Sequence, residues 1–164
     1  MVDMLVKLYD LKDDWSFLES QEKLGITIRK PIGPEKHVLI DWVRENSGDP
    51  WANEWASETD VAMSNCPKTC FVAVKDREFV GIGCYDATAL GMFGPLSVVK
   101  SSRGKGTGKA LLLACMLDMK LKGYGYAIIG MTEIVEFYRS CVGATEIPDS
   151  FPSVWETWVS KKKA

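Results

Sequence analysis

Histidine is nearly absent from this sequence: its 164 residues include one, His37. Cysteine occurs five times, at Cys66, Cys70, Cys84, Cys115 and Cys141, and only Cys66 and Cys70 stand at metal-ligand spacing. A structural zinc site needs a full set of such ligands, so no metal is expected, and the cysteines read as small buried hydrophobes. An odd count also argues against a disulfide framework. Long apolar runs are missing; the longest, Ala110 to Leu117, is far short of a membrane span. The opening MVDMLVKLYDLKDD has no apolar stretch of the signal-peptide kind. Reduced thiols, a cytoplasmic location and no membrane partner are therefore expected. A basic surplus is missing too. The net charge is −2, which argues against a nucleic-acid partner, because phosphate-tracking proteins usually carry excess Lys and Arg. There is no internal repeat and no low-complexity linker.

What is present suits one soluble domain of ordinary size, with 46% apolar and 26% charged residues. Charge is uneven along it. Glu45 to Asp60 holds five acids and no Lys or Arg, whereas Lys100 to Lys109 holds Lys100, Arg103, Lys105, Lys109 and no acid. The simplest reading of the acidic run is a solvated helix face; the alternative is that it steers an amine. The basic stretch is sharper. Three glycines, Gly104, Gly106 and Gly108, are interleaved with its cations and run into the helix-forming segment Ala110 to Leu121. The first N–H groups of a helix lack intrahelical partners and carry partial positive charge, so a glycine-rich basic turn there suggests an anion site.

The chain reads in order as follows. Met4 to Tyr9 could be an edge strand, and Trp15 to Gly25 a short helix; together they form an N-terminal extension, residues 1–25, docked on a single domain of residues 26–164. In that domain Ile26 to Arg29 is β-type, and Glu35 to Asn46 and Trp51 to Asn65 are helical. Ser47 to Pro50 is a turn between those helices. Trp42, Trp51 and Trp55 are expected in the core rather than around a substrate. Thr69 to Val74 and Phe79 to Tyr85 form a hairpin. Met92 to Val99 is a strand interrupted by Gly94-Pro95, which suggests a bulge or a splayed edge. The long helix ends at Gly123. Tyr126 to Gly130 is a strand, Thr132 to Cys141 a helix, Gly143 to Ile147 a strand, and Val154 to Ser160 a closing strand. Lys161 to Lys163 reads as a solvated tail. The order β-α-α-β-β-β-α-β-α-β-β predicts an α/β (α+β) mixed sheet with helices on both faces.

Two nucleotide templates fail at the basic turn. A P-loop ending in Gly108-Lys109 would need Gly at 103 and Ser or Thr at 110, where Arg103 and Ala110 stand. The dinucleotide fingerprint finds Lys109 or Leu111 at its third Gly. What fits is Arg103-x-x-Gly106-x-Gly108. This pattern resembles the acyl-CoA-binding motif of GNAT-type N-acetyltransferases. FGPLSVV before it, RGKGTGKALL across it, and AIIG and FYRSCVGA after it follow that family's order over roughly Ile26 to Ser160.

The resemblance implies a GNAT-like fold, a mostly antiparallel sheet with a splayed βαβ core, and acetyl-CoA as cosubstrate with no metal. It places Leu96, Ser97 and Val98 along the pantetheine arm, with the Val98 N–H at the thioester carbonyl. Gly104, Lys105, Gly106, Thr107, Gly108 and Lys109 would cradle the pyrophosphate, with Arg103 beside them. Tyr138 would be the catalytic residue, giving a proton to the departing thiolate. The implied reaction is direct acetyl transfer to a primary amine, on a small molecule or a peptide. The general base is open among Asp86, Glu133, Glu136 and a water relay. Gly130 to Glu133 fills the span where many members carry an Asn, so no such contact is implied. An acceptor pocket is expected from the helices around Trp42 to Asp60, the loop Asp86 to Gly91 and the segment near Phe151. A homodimer is compatible with the family. Two other readings stay open: an acyl-CoA-binding sensor or scaffold without turnover, and a nucleotide phosphate-binding domain.

Overall fold

A computed structural model describes residues 1–48 and 50–160. Its seven strands form one sheet in the order β2-β3-β4-β5-β6-β1-β7. In chain order they are β1 (Val2–Lys7), β2 (Thr27–Arg29), β3 (Cys70–Lys75), β4 (Glu78–Tyr85), β5 (Met92–Val98), β6 (Tyr126–Thr132) and β7 (Thr145–Ile147). The helices are α1 (Ser16–Glu22), α2 (Lys36–Asn46), α3 (Ala52–Ser64), α4 (Thr107–Leu121) and α5 (Val135–Val142). Every strand pair is antiparallel except β5 with β6.

The sheet buries a core on each face. On one face Leu111, Leu112, Cys115, Met116 and Met119 of α4 pack with Met4, Val6, Phe93, Ile129, Tyr138 and Val142. On the other, Leu39 and Val43 of α2 and Ala56, Ala62 and Met63 of α3 pack on Cys70, Val72, Ile82 and Cys84. Each fully buried aliphatic side chain contributes about 1.5–3 kcal/mol, so α4, buried along most of its length, is the principal anchor of its face. His37 and Val38 lie on the outer side of α2. Among the described residues no helix is long and apolar enough to cross a membrane.

The N-terminal segment differs from its expectation. β1 is an interior strand, bonded to β6 on one side and β7 on the other, not an edge strand. Met4 and Val6 are buried on one face of the strand; on the other Asp3 is buried, Leu5 half-buried and Lys7 exposed. The expected closing strand Val154 to Ser160 does not form. Ser153–Trp155 is a 3-10 turn, and the following residues are irregular. β6 is bonded to β5 on one side and β1 on the other, so it offers no free edge to a further strand. The segment is tied down by side chains instead. Ser153 Oγ donates to Asp3 Oδ2, and the Trp155 ring lies so close to Gly130 that a Cβ there would come within 2.5 Å of it. The tail Lys161 to Lys163, and Asp49 of the turn after α2, lie outside the described residues.

Candidate active site

The site begins where β5 and β6 part. Their parallel ladder covers only Met92 and Phe93 against Ile128 and Ile129. Beyond it Gly94, at φ +139°, and Pro95 shift the register against β4, and β5 swings away from β6. Backbone direction then follows from the antiparallel alternation. Val99 donates to Val80 of β4, so Val99 and Ser97 turn their polar groups toward β4. Those of Leu96 and Val98 point into the gap. Ser97 is thus buried in the sheet, in register with Ile82, and its neighbours on either side carry the open backbone groups.

At the far end of β5 the chain turns into α4. Gly104 and Gly106 have φ +74° and +79°, left-handed values that cost a residue with a Cβ roughly 1–2 kcal/mol. Gly106 is the N-cap, with no side-chain cap. Arg103, Gly104, Lys105, Gly106 and Lys109 are exposed, while Thr107 is buried. Arg103 Nε donates to the Val98 carbonyl at 2.9 Å, and Lys105 Nζ to the Ser101 carbonyl. Among the described residues no acid pairs with Lys100, Arg103, Lys105 or Lys109. A Cβ on Gly108 would lie 3.8 Å from both Val98 and Phe137, so the turn, the open strand and α5 meet at that point.

The turn is braced from the N-terminal segment. Gln21 of α1, only 4% exposed, donates through Nε2 to the Lys105 carbonyl at 3.0 Å and accepts from Thr107 Oγ1 at 2.8 Å. Nothing in the local pattern around Gln21 marks it. Its one signal is an amide on the inward side of a short helix, and its partners lie more than 80 residues away.

Beside the gap lies a cavity of about 270 Å³, lined by Phe93 to Leu96, by Ile129 to Ile134, by Tyr138 and by residues of α3. Tyr138 is 6% exposed and packs edge-on against Phe93 and Phe137. Burial pushes its phenol well above the ordinary value, with a smaller contribution from Cys141, so it is protonated at neutral pH. Its hydroxyl has no hydrogen-bond partner among the described residues.

A wider groove of about 570 Å³ adjoins this cavity, and both are lined by Glu54, Glu58, Thr88, Trp155 and Trp158. Trp51 and Trp55 also line the inner cavity, and Trp51 stacks near Trp158 at 6.1 Å. Trp42 does not; it packs on Phe79 over the second core. Tryptophans that sequence reasoning assigned to the core thus divide between core and cavity.

Of the candidate bases, Asp86 is engaged elsewhere. It accepts the Gly91 N–H at 2.7 Å and the Tyr124 O–H at 2.8 Å. Glu136 is exposed and pairs with Arg139. Glu133 lines the cavity. Glu58, named in the sequence only as part of an acidic run, faces the cavity as well. Burial raises its carboxyl above the ordinary range, the hydrogen bond from Thr88 opposes this, and the charge of Glu54 adds to it. The signal that could have found it is Glu54 and Glu58 one helical turn apart beside Trp51 and Trp55.

A parallel strand pair that splays beside a cationic glycine turn, with helices on both faces, defines the class: the acetyltransferase-like α/β domain. A model of the Acetyltransferase (GNAT) family matches residues 36–144, more than half of the chain, and the chain belongs to that family. Solved structures agree on the fold. A GCN5-related glucosamine N-acetyltransferase region of a fungal multi-domain beta-N-acetylglucosaminidase superposes with TM-score 0.69 at 16% identity, over 89% of this chain and 19% of that one. A GCN5-related N-acetyltransferase from Sphaerobacter thermophilus gives 0.62 at 21% identity, over 89% of this chain and 48% of that one. A ribosomal-protein-alanine N-acetyltransferase from Brucella melitensis gives 0.53 at 16% identity, over 84% and 99%. The chain spans less than half of the first solved chains it matches. No curated protein matches it.

Proposed function

We propose that the protein transfers an acetyl group from acetyl-CoA to a primary amine, by direct attack in a ternary complex. The observation that carries this reading is the continuity of three features: the open backbone of Leu96 and Val98, the unpaired cations of the Gly104–Lys109 turn, and the cavity holding Tyr138. The fit to the cosubstrate is chemical. An extended pantetheine arm needs strand-like N–H and C=O partners; Leu96 leaves both of its groups and Val98 its N–H unused by the sheet, while the Val98 carbonyl is held by Arg103. A pyrophosphate needs N–H groups and positive charge, and the N-terminus of α4 offers both.

In this reading Val98 presents its N–H to the thioester carbonyl and stabilises charge developing on that oxygen. Arg103, already bonded to the Val98 carbonyl, flanks the phosphates together with Lys100, Lys105 and Lys109. The amine nitrogen bonds to the acetyl carbon as the carbon–sulfur bond breaks. Glu133, the candidate base that lines the cavity, takes the proton that the nitrogen sheds, directly or through a water. Tyr138 gives its proton to the sulfur. The same burial that raises its phenol also raises the proton affinity of a thiolate, which keeps the transfer feasible.

Steady release of free CoA thiol across a panel of primary amines, with N-acetyl products seen by mass spectrometry, is the expected result. Binding of acetyl-CoA without thiol release for any amine would leave a sensor or scaffold in its place.

A further inference from the structure

Two carboxylates share the cavity wall, and among the described residues no Lys or Arg pairs with either. Glu54 and Glu58 are four residues apart on α3, so they project from one face. Both line the inner cavity and the outer groove, which puts them where the two join. Thr88 Oγ1 donates to Glu58 Oε1. Glu54 Oε2 is shut off from solvent and has no hydrogen-bond partner. Neither acid forms an ion pair among the described residues. Like charges at this spacing repel even on an exposed helix, and more strongly when water is excluded. A cation between the two carboxylates would relieve the repulsion.

The rest of the lining narrows the ligand. Indole faces from Trp55, Trp155 and Trp158 suit methylene groups and ammonium ions. Indoles alone would also accept the C–H face of a sugar ring, so the choice of ligand falls to the acids beside them. The inner cavity is smaller than the 300–1,000 Å³ usual for drug-sized ligands, which favours a slender chain over a ring-rich one. A monoamine that offers its only nitrogen to the thioester leaves the acid pair uncompensated. We infer that the acceptor is a linear diamine or polyamine. One nitrogen, deprotonated, faces the gap between β5 and β6. A second, as ammonium, is held by Glu54 and Glu58, and the methylenes lie against the indoles. This inference rests on the cavity being the acceptor side of an acetyltransferase.

The test compares 1,4-diaminobutane with 1-aminobutane on the full chain at saturating acetyl-CoA, following free thiol. One charge-assisted contact predicts a kcat/KM at least about tenfold higher for the diamine. Glu54→Gln, and separately Glu58→Gln, should bring that ratio close to one while acetyl-CoA affinity stays at the wild-type value, which certifies the fold. Equal kcat/KM for the two amines, or a preference that both variants keep, overturns the inference and leaves acetyl transfer standing. A thermal-shift titration with the same amines covers the remaining case. If no amine is acetylated, a larger rise in Tm with the diamine that Glu54→Gln abolishes supports the cation site and removes the transferase reading. Equal shifts for both amines overturn the cation site.

Discussion

Among the described residues the two halves of the site carry unpaired charge of opposite sign and hold it differently. At the Gly104–Lys109 turn the charge is cationic and exposed, and the recognition groups belong largely to the backbone, set by two left-handed glycines and the start of α4. At the α3 wall it is anionic, carried by side chains, and sheltered among indoles. Exposed cations attract an anion from solution but are screened by salt, so tight binding there needs the fixed N–H groups as well. Sheltered acids are screened less and discriminate more, at a cost in stability until a cation arrives. The two halves are joined by the N-terminal segment. Gln21 pins the turn, and Asp3 accepts from the Met131 N–H and from Ser153 Oγ, next to the Trp155 that roofs the cavity.

The largest break in this comparison should come from charge reversal at the turn. Gly108→Glu adds a Cβ at ordinary contact distance from Val98 and Phe137, so the chain should fold. A carboxylate there opposes the phosphates, a repulsion worth several kcal/mol, and acetyl-CoA affinity should fall by more than about 100-fold. Calorimetric titration showing wild-type affinity would remove the turn from the site.

Tyr138→Phe should act between the halves. We expect kcat to fall about 100-fold, with KM for acetyl-CoA within a factor of about three, because proton donation is needed only as the bond breaks. An unchanged kcat would leave Tyr138 as core packing against Phe93 and Phe137.

Gln21→Ala sharpens the distinction. It strands the Lys105 carbonyl and the Thr107 hydroxyl, so KM for acetyl-CoA should rise about three- to tenfold while KM for the amine holds. Equal changes in both would mean that Gln21 supports the fold in general rather than the turn.

The smallest effect is on stability at the acidic wall. Burial holds the Glu58 carboxyl above its ordinary value of 4.5, so the native state binds that proton more tightly than the unfolded chain does. Its contribution is greatest below the unfolded value and is lost as pH rises through the native one. Glu58→Gln should therefore melt higher than wild type at pH 8, with the gap closing near pH 4. A variant that melts lower at pH 8 would show that the carboxylate already has a cationic partner.

The turn was legible because its determinants are contiguous. Arg103, Gly106 and Gly108 stand within six residues, and the helix that follows is marked by Ala110 to Leu117. Gly94-Pro95 announced the parting of β5 from β6 in the same local way. The acidic wall was only half legible. Glu54 and Glu58 could be counted, but their exclusion from solvent depends on Thr88 and Trp155, contributed by distant segments. The place of β1 was not legible at all. MVDMLVK reads as a strand but does not name its partners, and VWETWVS has an equally strand-like alternation. Which of them occupies the edge of β6 is decided by pairing across the whole chain. Asp3, reaching both Met131 and Ser153, is part of how β1 holds that place.

Amide hydrogen exchange with and without acetyl-CoA tests the central claim most directly. The amides of Gly104 to Lys109 are solvent-facing or at the uncapped start of α4, and that of Val98 opens into the gap, so both sets should exchange readily in the free protein. Acetyl-CoA should slow exchange at Val98 and across Gly104 to Lys109 and leave Ala52 to Ser64 of α3 unchanged. Protection confined to α3, or none at the turn under saturating acetyl-CoA, would contradict the assignment of the two halves.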